Sequence, residues 1–217
     1  MDIKIHINPS LQHQVQHGQQ FRSGFERLGF KSVVTSDRCA EADVHVISGN
    51  WYAKKIWRNH PRVIYLDRCY YLGNPEHVSL GWMTSNGGRK FRKGSGRKLP
   101  KCAKTKTGYQ TIFLADYDGP QAPKKTDYLG HIDSIRYHPV RMKAREPLKD
   151  VLDRNDQAVG YMSTALVTAG LMGLKVTALD KRNIMAREDW LEILPYADWH
   201  LDEIGSGDAI DHLLKDL

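Results

Sequence analysis

The sequence predicts an α/β protein of two small lobes with a ligand cleft between them, and three observations lead to this prediction. Apolar runs of strand length alternate with helical patterns in both halves of the chain. Residues 157–179 have the pattern of a strand–helix–strand unit, which indicates a parallel sheet. A basic, glycine-containing segment at 86–106 separates the halves, so we expect lobes at 1–106 and 107–217.

The strand–helix–strand unit comprises a strand at 158–161, a helix at 165–172 and a strand at 176–179. Ser163 and Thr164 stand where a helix N-cap is expected, and Gly173 stands where a left-handed residue ends a helix. The helix carries no charge, so we expect it to be buried. The two hydroxyl residues either cap the helix or, with the free N–H groups there, bind an anion such as phosphate.

In the first half, alternation of apolar and polar residues predicts a strand at 3–7. Helical spacing of apolar residues follows from Leu11 to Leu28, and Gly29 ends it. Short apolar runs predict strands at 33–34, 44–47 and 62–66, with a helix at 51–57 that ends before Pro61. From Cys69 to Lys106 the regular pattern weakens, and residues 86–106 are expected to form a mobile basic loop or linker.

In the second half, apolar runs predict strands at 111–114 and 134–137 and a short helix at 148–152. After the strand–helix–strand unit, Trp190 and Trp199 mark the limits of a helix interrupted near Pro195. A final helix follows Ser206 and Gly207. Ligands of open α/β sheets bind at the carboxyl ends of strands. The polar residues expected there are Asn8, Asn50, Asp67, Asp116, His138, Ser163 and Asp180.

Composition bounds the class of protein. The chain has 217 residues, 41% hydrophobic content and a formal charge of +7, which suit a globular protein and allow an anionic partner. No apolar run approaches the roughly 20 residues of a membrane helix, and the start of the chain is too polar for a signal peptide, so we expect a cytoplasmic protein. Three scattered cysteines predict neither disulfides nor a zinc site.

Short motifs in the second half resemble the donor-binding half of GT-B-type glycosyltransferases, particularly the Kdo and capsule transferases. The motifs are RYHP at 136–139, STAL at 163–166 and GLKV at 173–176, and the tail from 190 to 204 is similar to small glycosyltransferase-like proteins of phages. The resemblance covers roughly the last 110 residues. It implies two Rossmann-like lobes and a metal-independent, inverting transferase without a bound cofactor. Thr168 and Lys175 depart from the family, which usually has Glu and Pro there.

The resemblance implies a nucleotide-sugar site in the second lobe. Ser163 and Thr164 would hold phosphate, Arg136 would add a fixed positive charge, and His138 would donate a hydrogen bond. Asp116 is assigned to the same site; with Asp118 it lies in a Gly-Pro turn, which favours a turn-forming role over a metal site. Without the resemblance, a surface ion pair for Arg136 and a turn role for His138 would be the simpler interpretations.

Transfer also needs a general base for the acceptor hydroxyl. Asp67 is the first candidate because it follows a strongly apolar strand, and His17 and Asp37 are weaker candidates. The alternative for Asp67 is a cap or an ion pair with Arg68.

The acceptor is expected to be DNA, because basic residues alternate with glycine and aromatic residues stand nearby. The predicted nucleic-acid-binding residues are Arg89, Lys90, Arg92, Lys93, Arg97 and Lys98. A phage-like origin favours transfer to a hydroxylated base flipped out of the stack, in the host cytoplasm. The alternatives are a solvated loop with no partner, a cell-surface glycan as acceptor, or a non-catalytic nucleotide- or nucleic-acid-binding protein of the same fold.

Overall fold

A computed structural model describes residues 1–37, 40–48, 59–70, 76–116, 122–138 and 146–215. The chain divides into two compact units. Unit 1 comprises Met1–Lys98 and Pro195–Leu217, and unit 2 comprises Leu99–Leu194. This division differs from lobes at 1–106 and 107–217, because the last segment of the chain belongs to unit 1. The predicted helix at 51–57, Asn50 and Asp118 lie outside the described residues.

The described residues of unit 1 form a seven-stranded sheet in the order β11-β5-β4-β3-β1-β2, with β6 paired to β5. Pairing is parallel from β2 to β4 and antiparallel around β5. The strands are β1 (Ile3–His6), β2 (Ser32–Thr35), β3 (Val44–Ser48), β4 (Val63–Arg68), β5 (His77–Met83), β6 (Arg89–Lys90) and β11 (Asp198–His200).

Among the described residues of unit 1, the helices are α1 (Gln12–Arg27), α5 (Leu201–Gly205) and α6 (Asp208–Leu214). They share a buried cluster with Ile3 and Ile5 of β1, to which α1 contributes Phe21 and Phe25. Gly29 adopts a φ of 80° after the helix, as its position predicts.

The described residues of unit 2 form a four-stranded parallel sheet in the order β10-β9-β7-β8. Its strands are β7 (Thr111–Leu114), β8 (Ser134–Arg136), β9 (Gln157–Gly160) and β10 (Lys175–Ala178). The helices that the described residues of unit 2 form are α2 (Leu148–Asp153), α3 (Ala165–Leu171) and α4 (Trp190–Ile193). Single 3-10 turns occur at Ile184–Ala186 in unit 2 and at Leu194–Tyr196 before β11.

The sheet of unit 2 has a buried cluster on each face, as parallel sheets usually have. Ile112 and Leu114 pack with Leu166 of α3 on one face, and Phe113 and Val159 pack on the other. The predicted strand–helix–strand unit is therefore confirmed as β9, α3 and β10, and Gly173 ends the helix with a φ of 84°.

Three predictions about secondary structure are wrong. Residues 86–106 are not a loop throughout, because Arg89–Lys90 form β6, and strand β5 precedes them where the pattern is weak. Trp199 lies in strand β11 and not in a helix that continues past Pro195. Thr164 occupies the N-cap position of α3, but no side chain caps the helix.

The two sheets share one feature of topology that locates ligand crevices. Strand order is β2-β1-β3-β4 in the parallel part of unit 1 and β8-β7-β9-β10 in unit 2. In each sheet, the second strand along the chain lies on one side of the first strand, and the third strand lies on its other side. The crevice of such a sheet lies at the carboxyl ends of the two strands where this change of side occurs. These are β1 and β3 in unit 1, and β7 and β9 in unit 2.

Candidate functional site

The candidate site of unit 2 lies at the carboxyl ends of its strands, and Asp116 is its central carboxylate. Asp116 Oδ2 accepts a hydrogen bond at 2.8 Å from the backbone N–H of Met162, in the loop that follows β9. Its other oxygen, Oδ1, is buried and has no hydrogen-bond partner among the described residues. Burial, with the nearby charge of Asp180, raises the pKa of Asp116, whereas His138 lowers it. Asp116 thus links the chain that follows β7 to the loop that follows β9. Among the described residues, its second oxygen has no donor.

Arg136 is the last residue of β8 and contributes the positive charge of the site. Its side chain is half-buried, and its Nε is buried without an acceptor among the described residues. Burial lowers the pKa of the guanidinium, and Glu146 only partly offsets that effect. Glu146 itself is bound at 2.5 and 2.8 Å by Arg154. Arg136 is therefore a partly desolvated cation that no carboxylate of the described residues neutralises.

The loop between β9 and α3 carries Ser163 and Thr164. Thr164 already has helical backbone angles, with φ −65° and ψ −22°, and the carbonyl of Ser163 accepts a hydrogen bond from Leu166 N–H at 3.2 Å. Neither hydroxyl caps the helix. The structure brings Asp116 next to this loop, and it places Arg136 and His138 at the end of the adjacent strand β8.

Asn183 supports this loop, although it is not among the predicted site residues. Its Nδ2 donates to the carbonyl oxygens of Tyr161 at 3.1 Å and Ser163 at 3.3 Å. Its Oδ1 accepts from Met185 N–H at 2.9 Å, and only 5% of the residue is exposed. An asparagine in a turn is common, so no sequence signal distinguishes this one from an ordinary turn residue.

In unit 1, Asp67 is the penultimate residue of β4 and is half-buried. Its Oδ1 accepts a hydrogen bond from the backbone N–H of Arg68 at 2.8 Å. Asp67 therefore acts as a local cap, which was the alternative to its role as a general base. The weaker candidates lie elsewhere in unit 1. His17 is in α1, where burial lowers its pKa to about 4. Asp37 follows β2, and its carbonyl oxygen lies 3.1 Å from His6 Nδ1.

The predicted nucleic-acid-binding residues form two groups. The three arginines donate hydrogen bonds to other parts of unit 1, and the three lysines are exposed. Arg89 bonds Ser79 and Tyr70, Arg92 donates to the carbonyl of His212 at 3.3 Å, and Arg97 bonds the segment at 195–203. The exposed lysines are Lys90, Lys93 and Lys98. Of this segment, Arg89 and Lys90 form strand β6, so it is not a continuous loop.

Lys106, at the end of the basic segment, belongs to unit 2. Its Nζ donates to the carbonyl oxygens of Leu152, Asp153 and Asn155 at 2.7, 3.0 and 2.9 Å. A cation in this position satisfies the carbonyl groups left over at the end of α2 and complements the helix dipole. This lysine is therefore structural.

Comparison of the chain with protein-family models, with curated proteins and with solved structures finds no match. In the part of the chain that the structure describes, no helix is long and apolar enough to cross a membrane. The same residues contain no group of three or more His, Cys, Asp or Glu side chains arranged to hold a metal ion.

Proposed function

We propose that the protein is a glycosyltransferase with a GT-B-like arrangement, in which unit 2 binds a nucleotide-sugar donor and unit 1 presents a hydroxylated acceptor. One observation carries the proposal: Arg136 is a partly buried cation at the carboxyl edge of a parallel sheet, and among the described residues its Nε has no acceptor and its side chain forms no ion pair. A phosphate bound there would supply the missing anion and would lie beside the loop of Ser163 and Thr164.

The remaining residues have matching roles in this reaction. The acceptor oxygen bonds to the anomeric carbon of the sugar while the bond to the nucleotide phosphate breaks, and the phosphate leaves with the electron pair. Arg136 and His138 stabilise the charge that develops on the leaving phosphate. Asp67 takes the proton of the acceptor hydroxyl. Asp116 offers its unused Oδ1 to a hydroxyl of the donor.

We propose a modified base in DNA as the acceptor, with a hydroxyl that the base carries as the nucleophile. The support is the basic character of the chain, with a net charge of +7, and the exposed lysines at 90, 93 and 98. A non-catalytic nucleotide-binding protein is the second candidate, and it is favoured by Thr168 on α3, where related transferases usually have Glu.

The test is calorimetric titration of the protein with CMP and with UDP, the nucleotides that common sugar donors release. Arg136→Gln should weaken binding of the preferred nucleotide about tenfold or more, because a charged hydrogen bond is worth about 1.5–3 kcal/mol. Ser163→Ala should have a smaller effect, since backbone N–H groups remain. The matched control is Arg22→Gln, which removes an exposed arginine of unit 1 paired with Glu26.

Unchanged affinity in Arg136→Gln would contradict the phosphate role. Nucleotide binding without sugar transfer to hydroxymethylated DNA, across a panel of nucleotide sugars, would favour the non-catalytic candidate. Transfer to a glycan but not to DNA would instead indicate the cell-surface acceptor.

A further inference from the structure

Arg89 and Asp67 share one face of the sheet of unit 1, near the carboxyl end of β4. In the antiparallel ladder of β4 and β5, Asp67 lies opposite Ser79. Side chains of opposite residues stand on the same face, with Cβ atoms about 5 Å apart. Ser79 Oγ accepts a hydrogen bond from Arg89 Nη1 at 2.6 Å. The carboxylate and the guanidinium are therefore neighbours around Ser79.

The guanidinium of Arg89 is fixed by neutral groups. Its Nη2 donates to Tyr70 Oη at 2.5 Å, and its Cζ lies 4.9, 5.2 and 5.7 Å from the ring centres of Tyr70, Phe91 and Tyr65. The hydroxyl of Ser79 donates to a backbone carbonyl at 2.9 Å, so it serves Arg89 only as an acceptor. Tyr70 is itself held, because its backbone N–H donates to a buried carboxylate of β11 at 2.8 Å.

No ion pair joins Asp67 to Arg89, and neither forms an ion pair with another of the described residues. The five N–H donors of a guanidinium are more than the two bonds to Ser79 and Tyr70 require. The face thus offers unused donors on Arg89 beside an acceptor on Asp67, held in position before a ligand arrives.

We infer that Asp67 and Arg89 form one acceptor pocket, in which a ligand hydroxyl lies on Asp67 and a neighbouring carbonyl oxygen lies on Arg89. The inference rests on the proposed function and names its substrate class, a hydroxymethyl pyrimidine with a ring carbonyl beside the hydroxymethyl group. 5-Hydroxymethyluracil has that carbonyl. 5-Hydroxymethylcytosine has an amino group in its place, which donates hydrogen bonds and cannot accept them from Arg89. Arg89 is then a specificity-determining residue and does not contact the DNA backbone.

The test uses short single-stranded oligonucleotides that are identical except for one base, 5-hydroxymethyluracil or 5-hydroxymethylcytosine. Fluorescence anisotropy at one fixed salt concentration should show about tenfold tighter binding of the uracil form by the wild type. Arg89→Lys keeps the charge but not the planar donor fork, so it should abolish that preference. The control is Lys90→Gln, an exposed neighbour, which should weaken both complexes equally and keep the preference.

Equal affinity of the wild type for the two oligonucleotides, or a preference that survives Arg89→Lys, would overturn the inference and leave the proposed function intact. Failure of sugar transfer to either oligonucleotide would instead contradict the proposed function. If Arg89→Lys does not fold, Asp67→Asn tests the same pocket, because the amide has nearly the same shape. It should remove the preference for 5-hydroxymethyluracil over thymine, and retention of that preference would also overturn the inference.

Discussion

The guanidinium carbon of Arg97 lies 3.8 Å from the ring centre of Trp199, where the last segment of the chain packs within unit 1. Its Nη1 donates to the carbonyl oxygens of Asp198, at 2.8 Å, and Pro195, and its Nη2 pairs with Glu203. A residue of the basic segment thus holds strand β11 and the start of α5 in place.

Replacing Arg97 with Met should destabilise unit 1 by about 2–4 kcal/mol, because a cation–π contact and charged hydrogen bonds are lost together. Urea unfolding followed by circular dichroism measures this change. The control is Lys98→Met, an exposed neighbour, which should alter the free energy of unfolding by less than about 0.5 kcal/mol. Equal effects of the two substitutions would show that Arg97 is not a structural clamp.

Gly24 lies where α1 packs closely against α5. A Cβ at Gly24 would lie 2.0 Å from the backbone carbonyl oxygen of Ile204, so Gly24→Ala should cost about 2 kcal/mol or more by forcing the helices apart. A Cβ at Gly205 would also lie 2.0 Å from its nearest atom, but that atom is the mobile end of the Gln20 side chain. Gly205→Ala should therefore be much milder. Thermal melts of both variants test the difference, and a milder Gly24→Ala would contradict it.

The sequence was sufficient to predict α1, whose buried residues recur at helical spacing, and the strands β1 and β7, which are short apolar stretches with little interruption. It was not sufficient for β5, whose sequence HVSLGWM mixes Ser79 and Gly81 with apolar residues. Ser79 accepts a hydrogen bond from Arg89, and Gly81 packs against Phe91. The sequence does not reveal either contact.

Charge composition alone also does not determine the direction of a side chain. Arg89 and Arg97 lie among lysines and glycines in the sequence, yet aromatic rings distant along the chain provide their contacts. In the candidate site, Asp116, Arg136 and Ser163 could be proposed because each lies near a strand end. Asn183 could not, since its role depends on two carbonyl groups twenty residues or more away.

Stability should fall as pH decreases from 6.5 to 4, because His45 is buried in its neutral form. His45 Nδ1 lies 2.9 Å from His6 Nε2, and burial, with the charges of His60 and His6, lowers the pKa of His45 to about 4. In this window the unfolded chain binds a proton that the folded chain does not, so the free energy of unfolding decreases. The His45 share is on the order of 3 kcal/mol.

Urea unfolding at several pH values between 7 and 4 measures the dependence on pH. His45→Gln should reduce the slope, and His131→Gln, at an exposed position in unit 2, should not. The slope will not vanish, because the pKa values of His6 and His17 are lowered as well. An unchanged slope in His45→Gln would show that this ring is not the titrating group.

The pKa of the Tyr65 phenol depends on the nearby charges of Asp67 and Arg89. Burial and the charge of Asp67 raise its pKa to about 12, and Arg89 opposes that rise. Asp67→Asn should therefore lower the pKa of Tyr65, and Arg89→Lys should leave it nearly unchanged because the positive charge remains. Absorbance titration of tyrosinate, with Tyr65→Phe as the reference that identifies the signal, measures both. A Tyr65 that does not respond to Asp67→Asn would place the carboxylate farther away than the strand register indicates.

The exposed lysines should account for the salt dependence of DNA binding. Each phosphate contact on duplex DNA releases counterions and contributes a slope of about −0.9 to log K against log salt concentration, and about −0.7 on single strands. Joint replacement of Lys90, Lys93 and Lys98 by Gln should flatten the slope without loss of stability, because these residues are exposed. Arg92 and Arg97 are unsuitable for this test, since their substitution also removes bonds within the fold.

The measurement is a titration of oligonucleotide binding at several salt concentrations for the wild type and the triple variant. A control of equal charge change replaces three exposed lysines outside the basic segment by Gln, namely Lys31 of unit 1 and Lys149 and Lys175 of unit 2. Binding of CMP or UDP should be unaffected in the triple variant, because Arg136 and Ser163 belong to unit 2 and the replaced lysines to unit 1. If the triple variant and the control give the same slope as the wild type, the DNA lies on another surface. The cell-surface glycan would then become the better candidate for the acceptor.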